Sequence, residues 1–173
     1  MQLDVIYLMV SGAITAHRAE ALVEALAQRA ASVIVVPTPN AARVISTYAL
    51  QRIPGAQVVE SYFDARILPR PQPAPVVFAP CTFNSLNKLA AGIADNLALA
   101  ITAEMIGFGQ PVIVAVSANQ PLWAHPAARA SAERLRQWGV YVLDPVQSDS
   151  DLTLAPTDAI LQYLEHALLE KRR

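Results

Sequence analysis

Cysteine, glycine and charge are all scarce in this chain. A single cysteine, Cys81, stands among 173 residues, so no internal disulfide can form, and a reducing cytoplasm is the expected location. Long apolar runs are missing as well. The most apolar region, 89–116, is broken by Asp95, Asn96, Glu104, Gly107, Gly109, Gln110 and Pro111, well short of the roughly 18 to 20 apolar residues of a membrane-spanning helix. The start, MQLDVIYLMV, has no basic flank and carries an acidic residue, Asp4, so no signal peptide is expected. A formal net charge of −1 favours neither nucleic acid nor an anionic membrane. His17, His125 and His166 lie far apart, without the paired spacing of a metal site. The six glycines form no G-x-G-x-x-G series, and no lysine-bearing Walker loop is present.

What the chain does have is apolar residues, at 54% against 16% charged. That excess over an ordinary soluble domain implies extra surface buried in an oligomer. The apolar residues come in short runs. LDVIYLMV (3–10), SVIVVP (32–37), PVVFAP (75–80), PVIVAV (111–116) and VYVLDP (140–145) read as strands buried on both faces, with AQVVES (56–61) a weaker one. Helical spacing recurs between them. Thr15 is expected to cap a helix over 16–29 that turns Arg18 towards solvent, and Thr38 to cap another with Pro39 at its first position. Further helices are expected near 84–91, 94–105 and 126–138. LPRPQPAP (68–75) reads as an extended connector. Strands alternating with helices predict an α/β fold, a Rossmann-like three-layer sandwich with a central parallel sheet flanked by helices. One domain is expected over 1–173, with 146–157 a substrate-side loop and 157–171 a C-terminal helix.

In such sheets ligands bind beyond the carboxyl ends of the strands. The four loops expected there are SGAIT (11–15), TPN (38–40), CTFNS (81–85) and SANQPLW (117–123). All are rich in small residues, hydroxyls and amides, and none contains Lys or Arg. Such loops serve as ordinary turns and caps. Four on one sheet edge point instead to a ligand held by backbone N–H groups, hydroxyls and helix N-termini, a means of binding phosphate without a basic side chain.

These loops carry a resemblance. PCTFNS (80–85) answers a P-A-S-A-N-T loop, LNKLAAGIADNLALA (86–100) a K-L-A-x-G-x-A-D-N-L run, and VSANQPLW (116–123) a P-x-M-N-x-x-M-W motif, followed by His125 and Pro126 and then WGVYVLDP (138–145). In this order and spacing the chain resembles the homo-oligomeric flavin-containing cysteine decarboxylases. That family includes the phosphopantothenoylcysteine decarboxylases of coenzyme A synthesis and the peptidyl-cysteine decarboxylases of lantibiotic maturation. The resemblance runs from about Ile6 to Pro145. It implies FMN as cofactor, a trimer or an assembly of trimers, and a small-molecule or peptide substrate. It puts Gly12, Ala13 and Ile14 on the first flavin loop, with Thr38 and Asn40 near the second. Thr82, Phe83, Asn84 and Ser85 fall on the phosphate or ribityl positions, Ser117 by the isoalloxazine edge and Asn119 on the substrate. Phe83 replaces a small residue.

Two departures stand out. The family histidine, in an H-I-x-L stretch before the fourth strand, falls on Arg66. A histidine there exchanges protons near neutral pH, whereas a guanidinium stays protonated and serves either as a carboxylate clamp or as a surface charge. The methionine of the substrate motif is Ala118, and 146–157 has neither the cysteine nor the glycine of the covering segment found in the pantothenate branch. The expected function is therefore an FMN-binding flavoprotein acting on a small thiol or carboxylate compound or a peptide C-terminus, with typical decarboxylation in question. A flavin prenyltransferase and a non-catalytic FMN-binding regulatory subunit are the alternatives.

Overall fold

The structure, a computed structural model, describes residues 3–171. Among these residues six strands form one parallel sheet. They are β1 (Leu3–Val10), β2 (Ala30–Pro37), β3 (Ala56–Val58), β4 (Val76–Thr82), β5 (Val112–Ser117) and β6 (Tyr141–Leu143), in the order β3-β2-β1-β4-β5-β6. The Rossmann-like α/β sandwich expected from the apolar runs is what the chain adopts. Its order reverses between β1 and β4, and that switch point is where a doubly wound sheet opens a crevice at its carboxyl edge.

Successive strand residues face opposite sides of the sheet, and both sides are filled. Tyr7 and Met9 of β1 join Phe78, Val112 and Val114 on one face, under α3 (Phe83–Ala90), α4 (Leu97–Gly107) and α6 (Pro126–Gln137). Ile6, Leu8 and Val10 join Val33, Val35 and Ile113 on the other, under α1 (Ala19–Ala27) and α7 (Thr157–Glu170). This is why the strands read as apolar runs rather than as alternating ones. Leu8 and Val10 are wholly buried, and truncating such a leucine to alanine costs about 2–5 kcal/mol. The proline-rich connector is held down by Tyr7, whose hydroxyl donates to the Gln72 carbonyl at 3.1 Å; burial pushes that phenol up to about 12.

Several boundaries differ from expectation, each for a local reason. Thr15 does not cap a long helix. A 3-10 turn over Ile14–Arg18 precedes α1, and the Thr15 hydroxyl is engaged with Ser117. The stretch after Thr38 does not continue as one helix. A 3-10 turn at Ala41–Arg43 stops, and a new short helix, α2 (Thr47–Gln51), starts where the Ser46 hydroxyl accepts the Ala49 amide. SANQPLW, expected to be a loop, contains α5 (Gln120–Ala124), capped by Asn119. The expected loop 146–157 contains a minimal antiparallel hairpin, β7 (Val146–Gln147) with β8 (Leu152–Thr153).

Candidate functional site

At the switch point the ends of β1 and β4 are joined by a compact hydroxyl network. The Ser11 hydroxyl, almost fully buried, accepts the Thr82 amide N–H at 3.3 Å and donates to Ser85 Oγ at 3.0 Å. Thr82 caps α3 by accepting the Ser85 amide at 3.4 Å, and its own hydroxyl donates to Ser85 Oγ at 3.3 Å. A hydroxyl has two lone pairs and one proton. Both lone pairs of Ser85 Oγ are thus spent, and its proton is left to donate. The first-turn amides of Phe83 and Asn84 have no partner among the described residues, as expected at a helix N-terminus.

This corner opens into a cleft of about 800 Å3, within the range of small-molecule sites. Its floor brings together Gly12, Ala13, Ile14, Thr38, Asn40, Thr82, Phe83, Asn84, Ser85 and Ser117, with Asn119 at the far end. The first two loops touch closely. A Cβ on Gly12 would lie 2.8 Å from the backbone of Asn40, closer than real Cβ contacts, so only glycine keeps both loops in place. The Thr15 hydroxyl lies 2.7 Å from that of Ser117 and ties the first loop to the end of β5. Thr38 is buried, and its hydroxyl accepts the Ala41 amide. Asn119 spends Oδ1 on the Leu122 amide at 3.1 Å, which leaves its NH2 group as the free end.

Lys88, Asp95 and Asn96 also line the cleft, although the loop motifs gave no reason to single them out, and so do Ser148, Ser150, Asp151, Leu152 and Thr153 of the segment expected as a substrate-side loop. Lys88 is paired with Asp95 at 2.5 Å. Of the residues expected to bind cofactor or act on substrate, Arg66 alone is not brought to the cleft. Its guanidinium is bonded to the carboxylate of Asp64 and donates to the Val58 carbonyl at 2.9 Å. The pair holds Asp64 down at about 2 and raises Arg66 further. Among the described residues no histidine lines the cleft. His17 donates from Nδ1 to the Ile14 carbonyl, and His125 accepts the Ala127 amide with its ring edge-on to Phe83 at 5.5 Å. Cys81 is fully buried in β4, and burial pushes its thiol well above the ordinary range.

A doubly wound sheet with a cation-poor cleft at its switch point, lined by open amides and hydroxyls, is an arrangement suited to a small phosphate-bearing ligand. The chain belongs to the flavoprotein family, whose model matches residues 2–168. It is 31% identical over 172 residues to the coenzyme A biosynthesis bifunctional protein CoaBC of Mycobacterium tuberculosis, covering 94% of this chain and 40% of that protein. The chain therefore spans well under half of the curated relatives it matches. Among solved structures it resembles a mutant PPC decarboxylase complexed with pantothenoylaminoethenethiol, with a TM-score of 0.80, 21% identity and coverage of 98% of this chain and 100% of the other. It also resembles TvaF, an FMN-dependent cysteine decarboxylase from thioviridamide biosynthesis, with a TM-score of 0.76, 23% identity and coverage of 98% and 99%. At these identities the structural likeness is one of fold.

Proposed function

We propose that the chain binds FMN in this cleft and acts on a small thiol- and carboxylate-bearing compound or on a peptide ending in cysteine. The observation that carries this reading is the buried Ser85 hydroxyl, its lone pairs spent and its proton free, beside the open amides of α3. That donor set suits a phosphate without requiring a cation. Thr82, Phe83, Asn84 and Ser85 would hold the phosphate and ribityl end, Gly12, Ala13, Ile14, Thr38 and Asn40 the two neighbouring loops, and Ser117 the ring edge. Bound flavin supplies an acceptor for two electrons from a substrate thiol. The chain's own contribution at the other end is the Asn119 NH2 group, which is free to donate to a substrate carboxylate. Family membership and the names of the relatives support the flavin.

The test is direct. Purified protein should be yellow, or should take up one FMN per chain with a change in the flavin spectrum. Colourless protein that takes up none sinks the proposal. Holo-protein incubated with cysteine-ended peptides and with phosphopantothenoylcysteine should lose little or no carbon dioxide by mass. By the resemblance of the sequence, Arg66 takes the place of the family histidine, and its guanidinium is tied to Asp64. The same observation favours a second reading, an FMN-binding regulatory subunit without turnover. Bound FMN, no turnover on any thiol and a stable heteromeric partner would select it.

A further inference from the structure

The β7–β8 hairpin walls the far end of the cleft, yet it has only two residues in each strand, paired Val146 with Thr153 and Gln147 with Leu152. A hairpin that short does not hold its own shape in water. Two side chains tie it to the rest of the chain, one its own and one from outside. At its tip, Asp151 Oδ1 accepts the Gln120 amide of α5 at 2.9 Å and the Leu152 amide at 2.7 Å. At its root, Arg18 donates Nη1 to the Leu154 carbonyl at 2.8 Å and Nη2 to the Ala155 carbonyl at 2.9 Å, both on nearly fully buried residues. Arg18 ends the 3-10 turn that begins at Ile14, two residues after Gly12, in the loop that Thr15 ties to Ser117.

We propose that Arg18 is a positioning residue that couples the two ends of the cleft. It links the Gly12–Thr15 loop to the hairpin, so that filling the flavin end fixes the wall against which the substrate lies. The guanidinium fork satisfies both carbonyls at once, which a lysine ammonium does not reproduce. The coupling works in both directions, because linkage between two binding events is reciprocal. The tether is a feature of the chain alone; only its link to cofactor rests on the flavin reading above.

Hydrogen exchange over segment 146–155 tests this, in the full-length chain with and without FMN. Without FMN, Arg18→Met should speed exchange in the segment about tenfold while the sheet strands stay within about twofold, and Arg18→Lys should fall between. With FMN, wild-type protein should slow further in this segment. Arg18→Met should not, although its absorbance shows flavin bound. Equal exchange of wild type and Arg18→Met without FMN overturns the tether, and equal slowing of both by FMN overturns the coupling. If the chain takes up no FMN, the coupling falls together with the flavin reading, while the FMN-free comparison still decides the tether. Should Arg18→Met fail to fold, Asp151→Ala must loosen the segment from the tip and Asp151→Asn, which keeps an acceptor oxygen, must restore it; two variants alike in exchange overturn the positioning of the hairpin.

Discussion

Ser85 carries more of the proposed site than its size suggests. Its oxygen closes the link between β1 and β4, and its proton is the donor left over. Ser85→Ala should weaken FMN binding about tenfold, the worth of one buried hydrogen bond, with the fold intact by circular dichroism; unchanged affinity in a fluorescence titration would exclude Ser85 from the phosphate site. Gly12→Ala drives a methyl into Asn40 and should cost roughly 1–3 kcal/mol of stability, read as a lower denaturation midpoint. Cys81 is inert for a plain reason. It has no solvent path, and burial raises its thiol, so a thiol reagent should label it only as the protein unfolds. Rapid labelling of native protein would contradict this.

At the scale of elements, the turn carrying Arg66 makes a pH prediction. Asp64 is held at about 2 against an ordinary 3.8, first by the Arg66 side-chain hydrogen bond and then by the Arg66 amide. A depressed carboxylate stabilises the fold above its unfolded value and loses that contribution as pH falls through its folded one. The stability difference between wild type and Asp64→Ala should therefore be constant above about pH 5 and shrink between about pH 4 and 2. A difference that persists below about pH 2 would show that the ion pair is not its source. The elements also mark how far the residues alone could be read. The strands were legible because a sheet covered on both faces keeps runs such as 5–10 and 111–116 apolar. Helix α5 was not, because Asn119 and Pro121 read equally well as a turn. The Arg18 tether was invisible, since its partners lie 136 and 137 positions away and helical spacing alone turned Arg18 outward. Asp151 bonds to an amide 31 residues distant, and no local pattern signals that.

For the whole molecule, the apolar surplus reappears at the surface. Ile14 is 95% exposed, Phe63 86% and Tyr48 70%, and Ile14 lies on the cleft itself. We propose that copies of the chain cover these residues in a trimer or an assembly of trimers. Sedimentation should then give a mass of three chains of 18.6 kDa, or a multiple of three; a monomer at micromolar concentration would refute it. The cleft has a further property that concerns rates. Its one lysine is already neutralised by Asp95, and its four loops bring no other cation. A site without an attracting field gains no speed from steering an anion towards it. With Asp151 adding a carboxylate to the lining, capture of a phosphate-bearing cofactor should thus not slow from dilute buffer to high ionic strength, where a lysine- or arginine-lined pocket would slow markedly.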